Sequence, residues 1–193
     1  MKFPSMLKMA CLSAGLLFAT TAFGQFKFGS QFMLVSASCG KVLEAGGDKV
    51  ASLARPNSQM DNVCVLESDA ETNQIWRIEP AGDNTFRVLS VFNGKALTVG
   101  CDDMPDPDRP NSQRDNVCVL PWARDNNQRW LITKLDDGSY QLMALHNEKA
   151  LSVGQDDVIV RSCPMARRDN ACVLNWEGTA NQRWYIIQVP VTN

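Results

Sequence analysis

Asn181-Gln182-Arg183-Trp184 recurs as Asn127-Gln128-Arg129-Trp130 and as Asn73-Gln74-Ile75-Trp76, each copy 54 residues from the next. Other marks keep the same step. Asp61-Asn-Val-Cys-Val-Leu66 returns as 115–120, and as Asp169-Asn-Ala-Cys-Val-Leu174. Lys41/Leu43, Lys95/Leu97 and Lys149/Leu151 follow it too. A period carried by several independent marks means one supersecondary unit used three times, since such a unit cannot bury its apolar face alone.

Within each unit the hydrophobic pattern alternates. Phe32, Leu34 and Ser36 match Phe86, Val88 and Ser90, then Tyr140, Leu142 and Ala144. Period two marks a strand with one buried face. A turn is expected at Cys39-Gly40, Asn93-Gly94 and Asn147-Glu148, where Asn-Gly favours the positive φ angles of a hairpin. A second strand follows through Leu43, Leu97 and Leu151, ending at Gly46, Gly100 and Gly154. A long connection rich in Asp, Pro, Asn and Ser has loop chemistry. The third strand is expected over 63–66, 117–122 and 171–176. The fourth starts at Gln-x-Trp, and Pro80, Asp136-Asp137-Gly138 and Pro190 end or separate the units. No amphipathic helix is expected. The sum is twelve short strands in a closed all-β arrangement that leaves few exposed edges.

The N-terminus reads as a cleaved export signal. Lys2 and Lys8 precede an apolar run from Cys11 to Ala19, which is too short to span a bilayer, and Ala22-Phe23-Gly24 offers the small residues of a cleavage site. The expected organisation is a signal peptide at 1–24 and one domain at 25–193, with repeats near 31–84, 85–138 and 139–192. Secretion or periplasmic residence follows, without membrane insertion. Losing Lys2 and Lys8 moves the formal charge from −2 to −4. A mildly acidic chain without a basic stripe is a poor nucleic-acid binder.

Cys39, Cys64, Cys101, Cys118, Cys163 and Cys172 remain after cleavage, an even set suited to disulfides in an exported protein. The simplest pairing is one bridge per repeat: 39–64, 101–118 and 163–172. Zinc is disfavoured, because there are no Cys-x-x-Cys pairs and His146 is the sole histidine. Neither a metal nor a cofactor is expected.

Three Gln-x-Trp marks at fixed spacing, each preceded by Asn, resemble the ricin B-chain-type β-trefoil lectins over about residues 30–189. The resemblance implies a β-trefoil, a six-stranded barrel capped by three hairpins with pseudo-three-fold symmetry. It also implies non-catalytic binding of glycans at one shallow pocket per repeat. The family pocket combines an Asp on the second strand, an aromatic platform after the third, and the Asn before Gln-x-Trp. Here the Asp position falls on Glu44, Thr98 and Ser152. Asn73, Asn127 and Asn181 match, and Trp122 and Trp176 are candidate platforms, with Ser68 at that place in the first repeat. Asp48, Asp102 and Asp156 keep the period and offer a loop carboxylate instead. Gln74, Gln128 and Gln182 join the candidate set, although a buried amide pinning a loop explains them better. Trp76, Trp130 and Trp184 read as core.

Other features carry less. Asp102-Asp103, Asp106 and Asp108 match no calcium loop and read as a solvated acidic loop. The loop Arg55–Gln59 is repeated letter for letter at Arg109–Gln113, as a shared ligand contact or a recent duplication would leave it. No nucleophile–base arrangement accompanies His146, and the acids recur in threes instead of forming an isolated catalytic pair. The sequence therefore points to a non-enzymatic, monomeric glycan binder. Two competing readings remain: a β-trefoil protein-binding scaffold, such as an inhibitor or a toxin's targeting subunit, and a glycan-active enzyme.

Overall fold

The computed structural model describes residues 26–27, 29–46, 63–100, 116–153 and 171–190. Twelve strands occupy them. Six are β1 (Gln31–Ser36), β4 (Trp76–Gly82), β5 (Thr85–Ser90), β8 (Trp130–Lys134), β9 (Tyr140–Ala144) and β12 (Trp184–Val189). Each pairs antiparallel with the next, and β12 returns to β1 from Gln31↔Val189 to Ser36↔Trp184, which closes a barrel. Closure removes the edges that an open sheet of this size would expose. The other six form three hairpins: β2 (Val42–Ala45) with β3 (Val63–Leu66), β6 (Ala96–Val99) with β7 (Val117–Leu120), and β10 (Ala150–Val153) with β11 (Ala171–Leu174). Strands β3, β7 and β11 touch one another, so the hairpins meet around the pseudo-three-fold axis. This is a β-trefoil.

Alternation is the cause of the barrel. In β1 Phe32, Leu34 and Ser36 are buried while the residues between them are half exposed. Phe32, Phe86 and Tyr140 are symmetry mates at one barrel end. Phe26 packs among them, with ring centroids at 5.4, 5.5 and 6.2 Å. A single phenylalanine from the leading segment thus fills the three-fold hole. Trp76, Trp130 and Trp184 are fully buried, and their indole N–H groups donate to the carbonyls of Leu43, Leu97 and Leu151 at 2.8, 3.0 and 2.9 Å. Each tryptophan therefore ties a barrel strand to the hairpin of its own repeat.

Several boundaries differ from the sequence reading. The third strands stop at Leu66, Leu120 and Leu174, so Trp122 and Trp176 lie in loops beyond them. Pro80 does not end β4. It pairs with Phe86 beside a bulge, beyond the two residues of β4 that β1 engages, where its missing N–H costs little. The expected Asn-Gly turns are wider than a two-residue hairpin. Gly40 and Gly94 donate back to Ser36 and Ser90, with positive φ at Gly40, Gly94 and Glu148. Each Gln-x-Trp is preceded by one turn of 3₁₀-helix, at Thr72–Gln74, Asn126–Gln128 and Ala180–Gln182, and the strand begins at the tryptophan.

The cysteines also depart from expectation. Cys39 keeps an exposed thiol, and Cys64 and Cys172 are buried thiols, so neither a 39–64 nor a 163–172 bridge is present. Register explains the first. Cys64 faces Glu44 in the β2–β3 ladder, whereas Cys39 sits in the turn before β2. Cys118 is disulfide-bonded, to a residue outside those described. Cys101 and Cys163 lie outside the described residues, as does the expected signal peptide. Among the described residues no helix is long and apolar enough to cross a membrane.

Candidate functional site

Each candidate site is built around a buried glutamine. The Gln74 carbonyl accepts from the N–H groups of Asp69 and Ala70 at 3.0 and 3.3 Å, and its amide donates to Glu44 and to the Glu67 carbonyl at 2.8 and 2.9 Å. Gln128 accepts from Ala123 N–H at 2.7 Å and donates to Thr98 and the Pro121 carbonyl at 3.1 and 2.9 Å. Gln182 accepts from Glu177 N–H at 2.7 Å and donates to Ser152 and the Asn175 carbonyl at 3.3 and 2.7 Å. All three amides are buried and both their N–H groups are used. The glutamines hold the loop between the third and fourth strands. Their amide donors are all engaged within the protein.

The second-strand position differs between repeats. Glu44 is buried and accepts from Asn73 at 2.9 Å and Gln74 at 2.8 Å, one bond to each carboxylate oxygen. Two charge-assisted bonds are what keep a carboxylate at such a site. Thr98 and Ser152 instead turn their hydroxyls back on the carbonyls of Ala96 and Ala150. Lacking a carboxylate to meet, Asn127 and Asn181 donate to the carbonyls of Val99 and Val153 at 3.0 and 3.2 Å. Only Asn73 has a buried Oδ1 with no partner among the described residues. The acid-and-amide pair therefore exists in repeat one alone.

The platforms lie in the other two repeats. Trp122 and Trp176 are half-buried in the loops after β7 and β11. One guanidinium, Arg87, stands 5.5 Å from the Trp122 ring centroid and occupies one of its faces. In repeat three the loop closes on itself. Arg183 Nε donates to the Gly178 carbonyl at 2.9 Å, and its Nη1 meets Asp137 at 2.8 Å. The Asp137 carboxyl is held below the usual carboxylate range by bonds from Ser139, side chain first and then backbone, with Arg183 adding to the effect. Ser68, at the platform position of repeat one, is exposed and reaches only the Met33 sulfur at 3.7 Å. Asp48, Asp102 and Asp156 lie outside the described residues.

Residues 24–108 match the family model described as a ricin-type beta-trefoil lectin domain-like. The chain resembles the ricin-type β-trefoil lectins, and its fold is theirs. A designed three-fold symmetric protein, ThreeFoil, is 25% identical with a TM-score of 0.60, over 82% of this chain and 99% of that one. An exo-beta-1,3-galactanase from Clostridium thermocellum is 20% identical with a TM-score of 0.61. The match covers 85% of this chain and spans only 31% of the enzyme's length. The ricin B-like lectin of Macrolepiota procera, solved with lactose, is 13% identical with a TM-score of 0.56, over 86% and 99% of the two chains. No curated protein matches the sequence.

The β-trefoil distributes the expected pocket parts instead of repeating them. Among the described residues, repeat one has carboxylate and amide without an aromatic platform, and repeats two and three have the platform without the carboxylate. Arg87, Arg124 and Arg129 around Trp122 escaped the sequence reading. The available signal was the residue between Gln and Trp, which is Ile75, Arg129 and Arg183 in turn.

Proposed function

We propose that this protein is an exported, monomeric, non-catalytic carbohydrate-binding protein that uses shallow loop sites of its trefoil. The observation that carries the reading is the joint one of fold and family. A closed three-fold barrel carries, over residues 24–108, the pattern of a ricin-type lectin domain. A trefoil by itself hosts many functions. The side chains add support, since recognition of a sugar needs fixed polar groups beside an apolar face. Glu44 with Asn73 supplies the first in repeat one, and Trp122 and Trp176 supply the second elsewhere. Weak single sites on one rigid body suit a multivalent glycan surface, where avidity multiplies modest affinities.

The test is a glycan array read with the full mature chain, beside a Trp122→Ala/Trp176→Ala double variant and a Glu44→Thr variant. Expected is binding to a defined glycan class that one of the variants reduces at least tenfold while its fold is retained. A folded protein that captures no glycan, but pulls down a protein partner undisturbed by excess sugar, would replace the lectin reading with the scaffold one.

A further inference from the structure

A cavity of about 280 Å³ opens between the end of the β4–β5 hairpin and the loop joining β7 to β8, lined by Pro80, Ala81, Arg87, Trp122, Arg124 and Arg129. Half of that lining is arginine, in a chain whose formal charge is −2. The guanidinium groups are not equally committed. Arg87 gives two bonds to the buried Glu79, at 2.7 and 3.1 Å, and lies over the Trp122 ring. Arg129 makes only a 3.5 Å contact with Asp83, whose side chain is 89% exposed. Its Nε is buried with no partner among the described residues, and an unmet buried donor of this kind costs about 1–3 kcal/mol. Arg124 is exposed, and its backbone is left-handed, at φ 68°. Side chains rarely tolerate that conformation. Among the described residues the three guanidiniums of the lining meet only two carboxylates, Asp83 and Glu79, and Glu79 is shared with Arg77 at 3.8 Å.

The symmetry of the fold supplies two internal controls. At the same four positions repeat one has Met33, Ser68, Ala70 and Ile75, with no charge. Repeat three has Gln141, Trp176, Gly178 and Arg183, and there the one arginine is bonded to Gly178 and Asp137. Gly178 takes the same left-handed φ, 69°, as Arg124. The fold therefore accepts a neutral corner and a self-satisfied one, and needs neither Arg124 nor an unpartnered Arg129 to form.

We propose that this corner of repeat two binds an oxyanion carried on a sugar ring, either the carboxylate of a uronic acid or a sulfate ester. This rests on the carbohydrate-binding reading and deepens it. Arg124 and the Nε of Arg129 take the anionic oxygens, since a guanidinium fork matches carboxylate and sulfate geometry. Trp122, Pro80 and Ala81 form the apolar wall against the ring. Arg87 is held by Glu79 and keeps Trp122 in place. The cavity has room for one acidic sugar, not for a chain of them, so the remainder of a polymer would run over the surface.

The experiment measures binding of oligogalacturonate, its methyl-esterified neutral form, heparin oligosaccharide and desulfated heparin to the full mature chain. The same set is run on Arg124→Gly and on Arg124→Gly/Arg129→Ile. These substitutions install the residues of repeat three and repeat one at positions where the trefoil already carries them. Arg124→Gly also relieves the left-handed strain, so the variant should unfold at no lower denaturant concentration than the parent. The expected result is binding of one charged form that weakens about tenfold or more when its charge is removed, when salt is raised, and in Arg124→Gly. Preference for oligogalacturonate assigns a carboxylate, and preference for heparin a sulfate. If neutral and charged forms bind alike, or the variants bind the charged form as the parent does, the anion site is overturned while the lectin reading stands. If no carbohydrate binds to the folded parent, on these probes or on the array, both fall.

Discussion

Repeats two and three place a tryptophan and an arginine at the same corner, yet only one corner is chemically closed. Arg183 spends its Nε on the Gly178 carbonyl and its Nη1 on Asp137. Arg129, with the same backbone support, is left with a buried unbonded Nε and a 3.5 Å contact to an exposed aspartate. Beneath these corners the two repeats are alike. Gln128 and Gln182 hold their loops through matching bonds, and Trp130 and Trp184 donate to matching carbonyls. The symmetric part is the part that burial dictates. Where side chains reach water, packing no longer selects, and the three copies have diverged.

If the interiors are truly equivalent, Trp130→Ala and Trp184→Ala should be equally damaging. Each empties a fully buried indole site and unpairs a carbonyl, a loss of about 3–5 kcal/mol, readable as a shift in the urea midpoint. A difference of more than about 1.5 kcal/mol between the two would break the comparison at its base. A smaller effect is expected at the glutamines. Gln128→Leu and Gln182→Leu strand the loop N–H groups of Ala123 and Glu177, costing about 1–3 kcal/mol each. Gln74→Leu should cost more, because it also removes a donor from the buried Glu44 carboxylate. Equal losses at all three positions would show that the carboxylate draws little support from Gln74.

The smallest effects separate the corners themselves. Arg129→Ile should leave stability unchanged or raise it, since an unmet donor is removed, whereas Arg183→Gln should lower it slightly. The Asp137–Arg183 link also carries a pH signature. The Asp137 carboxyl titrates below its ordinary range because bonds from Ser139 and then Arg183 favour the charged form. Its contribution is therefore complete above the ordinary carboxylate value and is lost as pH falls through the lowered one. Melting temperature followed from neutral pH into that acid range should drop less steeply for Asp137→Asn than for the parent. Superimposable profiles would mean the link adds nothing to folding.

Much of this architecture is legible in the chain because burial leaves a periodic trace. The 54-residue step, the alternation at Phe32, Leu34 and Ser36, and the core tryptophans all report faces hidden from water. The boundaries that were misplaced are local matters of geometry. Trp122 continues an apolar run but follows Pro121, and Pro80 sits where its absent N–H has nothing to pair with. The expected 39–64 bridge failed for a similar reason: an even count says nothing of register, and register sets Cys64 opposite Glu44.

The sequence by itself determined three-fold repetition, an all-β barrel and the identity of its core, because a repeated apolar pattern has few ways to be buried. The tertiary structure decided which polar groups are consumed and which are left over. Arg87, Trp122 and Arg129 are separated along the chain and meet only because β5 pairs with β8 within repeat two. Glu44 and Asn73 likewise meet only because the loop before β4 folds back over β2. Hydrogen-bond partners and charge neighbours depend on distances of a few ångströms between remote residues, and only the closed barrel sets those distances.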